Sequence, residues 1–116
     1  MKISDIKELV EGKVANNGVC SENINEIKHA FASDLMSDVL RLRCENTLLV
    51  TGLCNVQTIR TVEMAEIKLI ILARGKKVDA NMLELAEEND ICIIETDFSV
   101  YKVCGLLYQK GISPVY

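Results

Sequence analysis

The sequence predicts an α/β fold in three layers: a βα repeat whose mainly parallel sheet is covered by helices on both faces. Two observations carry this. Four short apolar runs (27–32, 47–51, 68–73 and 91–95) recur at similar intervals. The last three are near-continuous (TLLV, LIILA, ICII), as in strands buried on both sides. After each run a polar turn opens a stretch with apolar residues at helical spacing. Such alternation with short connections implies parallel strands joined by right-handed crossovers.

The elements follow in order. Ser4 is placed to cap a first helix carrying Ile6, Leu9 and Val10 and ended by Gly12; Lys13–Ala15 reads as a short strand before a turn at Asn17-Gly18. After the first run, Ser33-Asp34 precedes Leu35, Met36, Val39 and Leu40. Asn55 precedes Val56, Ile59, Val62 and Ala65, and Asp79 precedes Met82, Leu83 and Ala86. Asp97 or Ser99 opens the last helix, with Val100, Val103, Cys104 and Leu107. Each opening residue has a side-chain oxygen that can accept an orphan N–H of the first turn. Gly111 suits the position just past the last helix.

A chain of 116 residues is read as one domain, 1–116, with no linker or low-complexity tract. A hydrophobic fraction of 49% argues against a disordered chain. Acids and bases are interspersed around a net charge of −4, so no basic footprint points to nucleic acid. The longest apolar run, 69–73, is far too short to span a membrane, and no signal-like segment follows Met1-Lys2, so a cytoplasmic protein is expected. Five cysteines at wide intervals, without CxxC and with a single histidine, argue against a disulfide framework and a zinc site. Reduced thiols serving as small hydrophobes are the expectation.

The stretches "AFASDLMSDVL", "LLVTGLCNVQTIRTVEMAEI" and "IILARGKKVDANMLELAEENDICIIETDFSVYKVCGLLYQKG" resemble the DRTGG domain family, in particular its short stand-alone members. The same domain resembles the N-terminal region of HPr kinase/phosphorylase and a regulatory insert of CBS-containing pyrophosphatases. The resemblance implies a three-layer α/β fold, usually a homodimer, with no established activity of its own and a link to redox or hydrogenase metabolism. Most of the name-giving residues are absent. Thr51-Gly52-Leu53-Cys54 stands where the family has Asp-Arg, although Asn55-Val56-Gln57 resembles the Asp-Ile-Gln that follows. Ala73-Arg74-Gly75 keeps only the last glycine of Thr-Gly-Gly. A ligand role tied to the missing charged pair does not carry over.

No catalytic residue stands out. The loop after Val50 has one glycine and no lysine, and Arg74-Gly75-Lys76-Lys77 lacks both the upstream glycine and the following hydroxyl of a phosphate-binding loop. Phosphoryl transfer needs such a cradle, so kinase activity is not expected. Asp34 and Asp38, four apart, read as capping and solvated carboxylates. Cys54 opens a helix without a histidine partner, and His29 reads as a satisfied structural imidazole.

In an open parallel sheet the turns at the carboxyl ends of the strands share one edge, where ligands bind. That edge gathers Ser33, Asp34, Thr51, Gly52, Asn55, Arg74, Gly75 and Thr96, a set of hydroxyls, helix N-termini and one guanidinium. Together with the resemblance, these readings lead to the expectation of a non-catalytic, homodimeric regulatory or protein-interaction module without metal or cofactor. The competing reading is a sensor that binds a small anion or nucleotide at this edge.

Overall fold

A computed structural model describes residues 1–16 and 26–116; the expected turn at 17–18 lies outside them. In chain order the elements are α1 (Ile3–Leu9), β1 (Lys13–Val14), β2 (His29–Ala32), α2 (Met36–Leu40), β3 (Thr47–Thr51), α3 (Val56–Met64), β4 (Leu69–Leu72), α4 (Ala80–Glu88), β5 (Cys92–Glu95), α5 (Val100–Gln109) and β6 (Ser113–Pro114). The strands form one sheet in the order β1-β5-β4-β3-β2-β6, parallel throughout except for β1. The three-layer α/β expectation holds.

Why both faces are covered follows from the direction of travel. From β2 to β5 the chain steps each time to the adjacent strand, and right-handed crossovers in one direction place α2, α3 and α4 on one face. The return from β5 to β6, beyond β2, carries α5 across the opposite face, where α1 joins it. Side chains alternate accordingly along each strand. Leu48, Val50, Leu69, Ile71, Cys92 and Ile94 pack under α1 and α5. Leu49, Ile70, Leu72 and Ile93 pack under Val39, Ile59, Val62, Met82 and Ala86 of the other helices. All of these are buried, which is why β3, β4 and β5 read as unbroken apolar runs.

Several local expectations need correction. Lys2, rather than Ser4, is the N-cap of α1, with its N–H donated to the Asp5 carboxylate at 3.4 Å. The residue past that helix with left-handed backbone is Glu11 (φ 48°); Gly12 is needed because a Cβ there would press on Ile94. Asn55, Asp79 and Ser99 cap α3, α4 and α5 as expected, Ser99 settling the choice left open with Asp97. Gly111, at φ 91°, follows α5 as expected. The β6 strand was not legible, since two residues ending at a proline carry no period. Cys44, Cys54 and Cys104 are free thiols, but Cys92 is disulfide-bonded, against the expectation of reduced cysteines throughout.

Asn16 continues the β1–β5 pairing with its side chain. Its Nδ2 donates to the Ile91 carbonyl at 2.6 Å and its Oδ1 accepts from the Ile93 N–H at 2.9 Å, both buried. An unsatisfied buried backbone group costs about 1–3 kcal/mol, so Asn16→Ala is expected to lower unfolding stability by about 2 kcal/mol or more in urea. A change under about 0.5 kcal/mol, the size of an ordinary surface substitution, would show that the side chain is dispensable there.

Candidate functional site

The carboxyl ends of β2, β3, β4 and β5 do bring the eight predicted residues to one edge, but in different roles. β4 and β5 are the neighbouring strands whose following helices leave to opposite faces, the point where open α/β sheets take ligands. Here the chain's own loops bridge it. The Arg74 N–H donates to the Phe98 carbonyl at 2.8 Å, and the Gly75 N–H to the Thr96 carbonyl at 3.0 Å. Glu95, buried at the end of β5, accepts the Val78 N–H at 2.8 Å. Thr96 is buried as well, its hydroxyl donating to the Val10 carbonyl at 2.6 Å and accepting from the Phe98 N–H at 3.2 Å. Thr96 and Gly75 thus tie loops together.

The remaining polar groups meet at the end of β3. Asp34 was expected in the first turn of a helix, answering its dipole. Instead α2 starts two residues later, Leu35 is its N-cap, and Ser33 Oγ accepts the Leu35 N–H at 2.9 Å. Asp34 turns toward β3, where its Oδ1 accepts the Thr51 hydroxyl at 2.8 Å and the Gly52 N–H at 2.9 Å. Thr51 Oγ1 in turn accepts the Leu53 N–H at 3.1 Å. Arg74 donates from Nη2 to the Gly52 carbonyl at 3.1 Å and pairs with Asp34 Oδ2 at 3.8 Å.

Both members of the ion pair are about half exposed, 51% for Arg74 and 53% for Asp34, and solvent holds such a pair to about 1 kcal/mol or less. The short charge-assisted bonds to Gly52 and Thr51 are the stronger part. They, opposed by slight burial and helped least by Arg74, hold the Asp34 carboxyl below its ordinary value of 3.8. A depressed carboxylate stabilises the fold above that ordinary value, and the contribution is lost as pH falls through the lowered folded-state value.

At Gly52 the guanidinium of Arg74 comes close to the backbone. The Gly52 backbone is not left-handed, but a Cβ there would run into the Arg74 guanidinium. Arg74 itself sits at φ 65°, a conformation unfavourable by about 1 kcal/mol or more for a residue with a Cβ, and Gly75 follows at φ 73°. The DRTGG resemblance leads one to expect an Asp-Arg pair in the loop after β3 and a glycine where Arg74 stands. In this chain a carboxylate and a guanidinium reach the end of β3 from the loops on either side.

Asn55 Oδ1 accepts the Thr58 N–H at 2.9 Å and the Thr58 hydroxyl at 3.1 Å, so its side chain is engaged in capping. Cys54 is not an activated thiol. Burial raises its pKa above 9.0, the Asp79 and Glu95 charges add to this, and its Sγ donates to the Lys77 carbonyl at 3.1 Å. His29 departs from the satisfied imidazole expected: its Nδ1 is buried with no partner among the described residues. It lies at the amino end of β2, away from this edge. Among the described residues no three His, Cys, Asp or Glu side chains converge as a metal site, and no helix is long and apolar enough to cross a membrane.

No family model and no curated protein matches the chain. Among solved structures, its fold is similar to the CBS and DRTGG domains of the regulatory region of Clostridium perfringens pyrophosphatase, a structure complexed with the activator diadenosine tetraphosphate. The TM-score is 0.72 at 14% identity, covering 93% of this chain and 46% of that one. The likeness establishes the fold, in keeping with the DRTGG resemblance drawn from the residues. The chain spans less than half the length of that neighbour.

The Gly52–Arg74 packing makes a double-mutant test. Gly52→Ala should push the mobile end of Arg74 aside and destabilise the protein by no more than about 1 kcal/mol, and by less in an Arg74→Ala background where the guanidinium is gone. Additive effects in urea unfolding would show that the guanidinium does not rest on Gly52.

Proposed function

We propose that the chain is a non-catalytic regulatory or protein-interaction module acting as a homodimer. The observation behind this reading is that the polar groups at the carboxyl edge are engaged with one another. Asp34 is held by Thr51 and Gly52, Glu95 and Thr96 tie loops, Asn55 caps a helix, and the Cys54 thiol is kept protonated. A general base or nucleophile would need the opposite, a group poised near neutrality and aimed at open space. Family resemblance supports the dimer and the link to redox or hydrogenase metabolism, and the cytoplasm suits both.

A second reading is a sensor of a small anion or nucleotide at the same edge. The half-exposed Arg74 guanidinium supports it, and so does the activator-bound state of the structural neighbour. A ligand would regulate by binding two conformations unequally.

Light scattering at micromolar concentration should give a dimer, and the pure protein should not phosphorylate HPr with ATP; a monomer or a genuine kinase would contradict the module. Arg74→Ala separates the two readings. In an interaction module it lowers the melting temperature with or without added anion. In a sensor, phosphate or adenine nucleotide stabilises the wild type specifically, and Arg74→Ala abolishes that while the unliganded protein melts nearly unchanged.

A further inference from the structure

Three donors of different kinds converge on one carboxylate at the end of β3: the Gly52 N–H, the Thr51 hydroxyl and the Arg74 guanidinium. A backbone N–H, a hydroxyl and a guanidinium are the groups that hold phosphate oxygens elsewhere. None belongs to the segment that carries Asp34. We infer that the Asp34 carboxylate is the resident anion of a phosphate-class site, and that a phosphate-bearing ligand binds by exchanging with it. The inference rests on the sensor reading.

The pattern of contacts suits exchange. Only Oδ1 takes the short bonds, while Oδ2 has the loose 3.8 Å contact with Arg74. Among the described residues, Arg74 Nε and Nη1 make no hydrogen bond, so the guanidinium keeps donors for a ligand with more oxygens than a carboxylate. Lys76 adds positive charge from the same loop, its field reaching the Cys54 sulfur on the β3–α3 connection. A phosphate carrying more charge than one carboxylate gains more from both cations. The left-handed backbone at Arg74, held by the Phe98 and Thr96 carbonyls, aims its half-exposed side chain over Gly52.

Exchange also links the site to the surface. Asp34 lies between Ser33, which accepts the Leu35 N–H, and Leu35, which caps the five-residue α2 while its own side chain is 58% exposed. Releasing Asp34 frees the start of α2, which packs on α3. A resident anion lowers apparent affinity by the fraction of time it holds the site, and this suits a sensor of an abundant ligand.

Calorimetric titration with inorganic phosphate and with pyrophosphate tests this on the wild type, Asp34→Asn and the double variant Asp34→Asn/Arg74→Ala, with Asp34→Ala as a second probe of vacancy. Asp34→Asn should bind at least about tenfold more tightly than the wild type, a gain of about 1.4 kcal/mol, and the double variant should lose the gain. Saturating phosphate should speed amide hydrogen exchange at the start of α2 in the wild type, since Asp34 has left. If the wild type binds and neither Asp34 variant binds more tightly, the resident-anion inference is overturned while the sensor reading stands. If none of the proteins binds either anion, both fall.

Discussion

A buried backbone N–H at the end of a parallel strand has to find an acceptor, and at Gly52 the acceptor is a carboxylate from the neighbouring loop. Much of the carboxyl edge depends on that bond. It draws Asp34 out of the helix it was expected to cap, so that α2 begins at Met36 and is only five residues long. It places negative charge where Arg74 can reach it. The guanidinium in turn lies where a Cβ at 52 would be, so a side chain there would have to push its mobile end aside.

The rest of the fold supplies a rigid base. Strands β3, β4 and β5 are buried on both faces, so their ends are held in register to within the tolerance of a packed interior. Because three successive crossovers run the same way and the fourth reverses, β4 and β5 form the switch point where a ligand would ordinarily enter. Hydrogen bonds from Arg74 and Gly75 to the 96–98 turn bridge that opening. The Asp34–Arg74 pair stays half exposed one strand over, at the end of β3 rather than in the geometric crevice.

Sequence pattern revealed the architecture because the strands are long apolar runs and the caps are local. Asn55, Asp79 and Ser99 each sit three residues from the N–H they accept, within reach of pattern reasoning. The edge as a meeting place of turns was equally legible from βα alternation. The partners within it were not. Asp34 meets residues 17 and 18 positions away, and Arg74 meets Gly52 across 22, distances that only the sheet order closes. The two-residue β6 was hidden because it carries no period, and the Nδ1 of His29, without a partner among the described residues, because its surroundings are set by the tertiary fold.

The central claim is that Asp34 stands as a carboxylate anchored by the end of β3. A carbon-13 NMR titration of the Asp34 side-chain carboxyl addresses it directly, in the wild type and in Thr51→Val. The account predicts a midpoint below the ordinary 3.8 in the wild type, moving upward when the Thr51 hydroxyl is removed. A midpoint at or above 3.8 that ignores the Thr51 substitution would contradict it.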